Sequence, residues 1–282
     1  MEKIDSRIRN IAIISFAILM TAQVFFIFWF HGVQQADSAC YLAMAKHAAA
    51  TSSWYPNTAN LPEQFFFGVG YVNMLSWLFR ITTDVRIAFF LNLIFTLVTL
   101  FSGAYITKKL FNSDRICYLF IIIFCLMCAF WGEVVSISTD LPYTAFAFLA
   151  IACLVSEKKY STIMCGVLLA LANWIRPLAL AFLLAAIIWL LVKKKGWKKI
   201  VSMLAGSLIV IGIIGTISYY NCGHFIFQST TSGVNLVQGA NDLADGSYGN
   251  EVFQKGNAAY LTDDQKKDMI YSMASGGGEG CL

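Results

Sequence analysis

Long apolar runs, separated by short polar stretches that carry most of the basic residues, organise this chain. The first run covers residues 11–30, and others cover 85–106, 116–131, 141–156 and 200–220. Crossing about 30 Å of hydrocarbon takes about 20 residues of helix, so these runs read as membrane spans. The first exceeds a signal-peptide core and no small-residue cleavage site follows it, which makes it a retained helix. The stretch 163–192 is too long for one span, and Trp174-Ile175-Arg176-Pro177 interrupts its middle. Glu157-Lys158-Lys159 precedes it, and five lysines between 193 and 199 follow it. Lys and Arg collect on the cytoplasmic side, so both flanks belong to one side and the chain crosses twice between them. Two short helices with Arg176 at the far tip satisfy this, with Pro177 in the first turn of the second helix.

The expectation is an all-α, polytopic membrane protein: about seven transmembrane helices in residues 1–220, then a polar tail, 221–282. With the N-terminus cytoplasmic, thirteen of the 20 Lys and Arg fall on the inner side. The long loop 31–84 and the tail are then extracytoplasmic, the reverse of a heptahelical receptor. Composition agrees. The chain is 58% hydrophobic and 13% charged, against roughly 45–50% and 25% in soluble proteins. That excludes a soluble globular domain, a disordered chain and a disulfide-rich secreted module. The net charge of +4 implies no nucleic-acid partner, because the cations sit at span ends. Five of the eight cysteines (Cys117, Cys125, Cys128, Cys153, Cys165) lie within apolar runs and read as small hydrophobes.

The inner connections are too short for a site, so candidate chemistry lies outside. From Asp37 to Thr51 the first loop is Ala-rich without a breaker and predicts a helix along the interface. Asp37, Tyr41, Met44 and Ala48 share one of its faces. Asp37 reads either as the cap of that helix or as a carboxylate poised at the membrane surface as a general base. The apolar segment 65–79 is short for a span and reads as a re-entrant or interfacial helix. Arg80 and Arg86 flank the second span, where snorkelling anchors are expected. Glu133 and Asp140 stand at the outer edge between the third and fourth spans; Asp140, before Leu141-Pro142, reads as a helix cap and Glu133 as solvated. Arg176 sits amid apolar sequence, as a snorkelled tip residue or a functional cation. In the tail, a calcium loop beginning at Asn241 fails because Leu243 and Val252 fall on ligand positions. Thr262-Asp263-Asp264-Gln265 reads as a capping box opening a short helix. The Gly-rich end, Ser275–Leu282, closes no element and reads as broken off.

Four segments together resemble the GT-C class of membrane glycosyltransferases, in particular the bacterial relatives of dolichyl-phosphate-mannose-protein mannosyltransferases. The first is Asp37-Ser38-Ala39-Cys40-Tyr41-Leu42-Ala43-Met44-Ala45, similar to the family's Asp…Tyr…Ala loop. The second is Phe67-Gly68-Val69-Gly70-Tyr71; Val69 and Val72 depart from a motif that often carries proline there. The third is Asn173-Trp174-Ile175-Arg176-Pro177. The fourth runs Ser232-Gly233-Val234-Asn235-Leu236, Gly239-Ala240-Asn241-Asp242 and Asp245-Gly246-Ser247-Tyr248. It resembles the Gly-x-Asn-Leu…Gly-Asn…Gly-x-Tyr stretch of many bacterial members and is the most specific of the four. Family members usually continue with further spans, so the chain resembles their N-terminal portion.

The resemblance implies an enzyme of the bacterial inner membrane that takes sugar from a polyprenyl-phosphate donor and delivers it to a protein, lipid or glycan hydroxyl. Asp37 then becomes the catalytic base. A cation must face the leaving phosphate; Arg176 is the first choice, with Lys46, Arg80 or Arg86 as substitutes. Tyr41, Glu133 and Asp140 would orient sugar or acceptor. No metal cluster or cofactor motif is present, so no cofactor is expected. The rivals are a transporter, which would need ionisable groups at mid-span and related halves, and a non-catalytic membrane subunit.

Overall fold

The computed structural model describes residues 2–30, 34, 36–60, 66, 68–156 and 158–230. Ten α-helices and no strand occur among them. In chain order they are α1 (Glu2–Trp29), α2 (Ala36–Ala50), α3 (Val69–Phe79), α4 (Arg86–Phe111), α5 (Asp114–Leu126), α6 (Ala129–Glu133), α7 (Asp140–Ser156), α8 (Ser161–Ile175), α9 (Ala179–Val192) and α10 (Trp197–Cys222). The chain is thus an all-α membrane protein. Three stretches, Ser6–Trp29, Arg86–Phe111 and Trp197–Cys222, are each long and apolar enough to cross a bilayer. α3, α7, α8 and α9 are shorter apolar helices. Large side chains such as Ile13, Phe28, Leu184, Ile188, Leu208 and Ile213 are exposed on α1, α9 and α10. A surface of that kind needs hydrocarbon rather than water against it.

α8 is the central element. It packs against α10 and α7, while α4 joins α7 to α5 and α1 lies on α5. Lipid tails are as apolar as leucine, so close backbone approach and polar contacts must hold such helices together. The crossing of α8 and α10 does this with two glycines. A Cβ on Gly166 would stand 1.9 Å from the Met203 carbonyl oxygen, and one on Gly206 2.3 Å from that of Ile163. Ser207 Oγ donates to the Gly166 carbonyl at 2.9 Å.

The bundle helices α7, α8, α9 and α10 alternate in direction. One end of the bundle gathers Ile27, Ala88, Phe89, Ile137, Trp174 and Cys222 around α2 and α3. The other end brings Lys109, Ser161, Lys193 and Lys199 to the rim of a shared cavity. Ser161, which follows the first of the two lysine flanks, thus shares this cavity with lysines of the second.

Two expectations need correction. The third run, 116–131, is not one helix: α5 ends at Leu126, Met127 is extended, and the short α6 follows. Side chains take up the backbone groups left open at the break, in α6 and in the turn that follows it. Trp131 Nε1 donates to the Cys125 carbonyl, and Gln23 Nε2 to that of Phe130. Asn92 Nδ2 donates to the Val134 and Ser136 carbonyls, and Gln34 Nε2 to that of Val135. Non-helical backbone at this depth is tolerated because protein buries and satisfies it. Second, Pro177 lies in the turn before α9 rather than in its first turn, since α9 opens at Ala179. Of the polar tail 221–282, only residues up to 230 are described; its capping box and Gly-rich end lie outside the described residues.

Candidate functional site

The expected interfacial helix forms α2, with Asp37 in its first turn and exposed. The shared face is only partly as read. Tyr41, Ala45 and Ala48 are buried and Met44 half-buried, whereas Asp37 stands clear at the head of the helix. α2 packs on α3, which forms most of the described part of segment 65–79. The two run side by side in the same general direction. Tyr41 meets Tyr71 edge to face at 5.3 Å near their starts, and Lys46 lies over the Phe79 ring near their ends.

The glycines of Gly68-Val69-Gly70-Tyr71 explain how three separate segments converge. Gly68 caps α3 at φ +60°, and a Cβ there would fall 2.1 Å from the Tyr41 ring. A left-handed backbone pressed against an aromatic face admits glycine alone. A Cβ on Gly70 would lie 2.6 Å from the Trp174 carbonyl oxygen. The second segment thus touches the first through Gly68 and Tyr71, and the third through Gly70. Trp174 also stacks on Trp54 at 5.6 Å. Asn73 clamps the intervening loop: its Oδ1 accepts from Tyr55 N and its Nδ2 donates to the Tyr55 carbonyl.

The chain leaving α10 docks on the same cluster. Asn173 Nδ2 donates to Gln228 Oε1 at 2.8 Å. Thr230 and Phe66 exchange two bonds, Thr230 N to the Phe66 carbonyl and Phe66 N to Thr230 Oγ1, both at 2.8 Å. The fourth segment, 232–248, begins two residues later and lies outside the described residues.

Charged groups ring this cluster. Arg176, extended at the end of α8, forms an ion pair with Asp140 in the first turn of α7. Asp140 therefore opens α7 rather than preceding it, and its carboxylate serves Arg176. The Tyr41 phenol engages the Thr139 side chain and feels both Asp37 and Arg176. Burial first, then the Asp37 carboxylate, pushes that phenol above its ordinary range, while Thr139 and Arg176 oppose the shift. Tyr71, fully buried, is raised by desolvation and then by Tyr41. Its hydroxyl lies near the Ser138 backbone without a well-formed bond. Glu133 completes the rim, accepting from Ser138 Oγ at 3.4 Å.

Asp37, Tyr41, Glu133, Asp140 and Arg176 thus share one neighbourhood, at the head of α2. Lys46, nine residues along α2, lies about 14 Å away at 1.5 Å per residue. Arg80 donates to the Ser53 carbonyl at 3.0 Å. Arg86 pairs with Asp84 at 2.7 Å and holds that carboxyl below its usual range. Lys46 and Arg80 belong to the far ends of α2 and α3, and Arg86 opens α4.

Sequence reasoning gave no role to Thr139, Trp54 or Asn73, and named Tyr71 only as part of a motif. Of the four buried side-chain atoms that lack a hydrogen-bond partner among the described residues, three surround this cluster: Tyr71 Oη, Asn173 Oδ1 and Trp174 Nε1. Such groups are costly to bury unpaired.

No protein-family model, curated protein or solved structure gives a significant match to this chain.

Proposed function

We propose that the chain is a glycosyltransferase moving sugar from a polyprenyl-phosphate donor to an acceptor hydroxyl at the outer face of the membrane. The N-terminus is cytoplasmic in this reading, and the end of the bundle bearing α2 and α3 faces outward. One observation carries it. Segments 37–45, 68–71 and 173–177, far apart in sequence and each similar to the same enzyme class, interlock through Gly68, Gly70 and Tyr71, with Asp37 exposed and Arg176 beside them.

The chemistry needs few parts. Phosphate is already a good leaving group. The acceptor oxygen bonds to the anomeric carbon as the carbon–oxygen bond to phosphate breaks, and the hydroxyl proton passes to the Asp37 carboxylate. Arg176 meets the charge that develops on the departing phosphate. Its ion pair with Asp140 holds the guanidinium in place until then. A single displacement inverts the anomeric centre. A transporter is less well supported, because Asn92 and Thr96 within the bundle are buried on backbone partners.

The test is an assay of purified protein with a labelled polyprenyl-phosphate sugar. Asp37→Asn is expected to lower turnover by about 10²–10⁴-fold, the usual contribution of a general base, with expression unchanged. Undiminished turnover rejects the assignment.

A further inference from the structure

A second built feature lies at the opposite end of the bundle. A cavity of about 270 Å³ opens where five helix ends meet, lined by Lys109, Lys193, Lys195 and Lys199 together with Thr162 and Trp189. No acidic side chain lines it among the described residues. Asp114, close by in sequence to Lys109, is held by Lys108. Lys193 lies against the wall, its Nζ 4.9 Å from the centre of the Trp189 ring.

The helix dipoles explain part of this. Lys109 and Lys193 close α4 and α9, where carbonyl ends favour cations. Lys199 has the opposite setting. It sits in the first turn of α10, at the positive end of a dipole, and is half-buried. Thr162, buried in the first turn of α8, adds a second helix start. Lys199 is repelled by the dipole at its own helix start and by the lysines beside it, unless an anion sits between them. The walls below are apolar, with Leu154, Val155 and Leu190.

We infer that this cavity binds a phosphate-bearing anion, seated by Lys109, Lys193 and Lys199. Its setting at the ends of membrane helices favours the headgroup of an anionic lipid, because basic pockets between helices on the cytoplasmic side take such headgroups. Inorganic phosphate carries the same chemistry. The site is independent of the glycosyltransferase reading, since it lies at the other end of the helices.

The experiment is native mass spectrometry of the full chain in detergent, titrated with phosphatidylglycerol, with phosphatidylcholine as the neutral counterpart, and with inorganic phosphate. The wild type is expected to retain phosphatidylglycerol in preference to phosphatidylcholine. Each lysine beside an anionic lipid favours binding about fivefold, so the double variant Lys109→Gln/Lys199→Gln should weaken that preference roughly 25-fold. Lys109→Arg/Lys199→Arg should restore it, which separates loss of charge from loss of fold. Displacement of the lipid by millimolar phosphate assigns the site to the free anion, and its persistence assigns it to the lipid; both uphold an anion site. Equal retention of the two lipids, or a preference that the glutamine variant leaves intact, overturns the inference.

Discussion

Tyr41 shows how one side chain can report on the whole candidate site. Its ring is the surface on which Gly68 lies, and its phenol senses Asp37 and Arg176. Burial raises its pKa above the ordinary 10.0, so the neutral form is favoured in the folded protein. Its contribution to stability is full below pH 10 and fades as the pH climbs through the raised value. Difference absorbance should show the same phenolate signal near pH 10 for the wild type and Tyr41→Phe, the two curves parting only at higher pH. Coincidence throughout, or an early loss of signal, contradicts this. Arg176→Ala should weaken donor binding and leave Asp140 unpaired, whereas Arg176→Lys keeps the charge and loses the planar fork. Donor KM is the readout, expected to rise more in the alanine variant. Gly70→Ala drives a methyl group into the Trp174 carbonyl and should cost about 1–3 kcal/mol, measured by thermal unfolding in detergent.

Among the helices, the broken third span separates what could be read locally from what could not. α2, the α8–α9 hairpin and the long helices follow from apolar runs, absent breakers and lysine flanks, which are properties of neighbouring residues. The break at Met127 carries neither proline nor glycine. The irregular stretch from there to Ser136 is made tolerable by Gln23, Gln34 and Asn92, whose amides reach backbone more than 40 residues away. Replacing Asn92 by Leu removes donors from two carbonyls at once, each of which costs about 1–3 kcal/mol when buried unpaired. The variant should unfold at markedly lower temperature, while a substitution at lipid-facing Ile94 should not. The site was legible in the same partial way. Segments 37–45, 68–71 and 173–177 could be marked from their residues. Their interlocking depends on glycine-to-backbone contacts that no spacing announces, and Thr139 emerged only once α7 was seen to begin at Asp140.

Taken as one body, the molecule has two chemically different ends, one bearing carboxylates, arginine and aromatic rings and the other lysines. Orientation can be read with cysteines. Cys40 on α2 is exposed, whereas Cys222 is buried with its thiol on the Ser218 carbonyl, so Cys40 is the useful reporter. An impermeant maleimide applied to intact cells should label Cys40, and a cysteine introduced at Ser113 should react only after permeabilisation. The reverse result would place the candidate catalytic end in the cytosol and remove the proposed reaction from the outer leaflet.

The seat of Gly70 has a bearing on how this protein can vary. What it touches at position 174 is the carbonyl group as well as the indole edge, and every amino acid carries the first. Enlarging residue 70 therefore cannot be rescued by trimming its neighbour's indole. Suppressors of such a lesion should arise where α3 or α8 can be displaced bodily, and a search confined to codon 174 should return none.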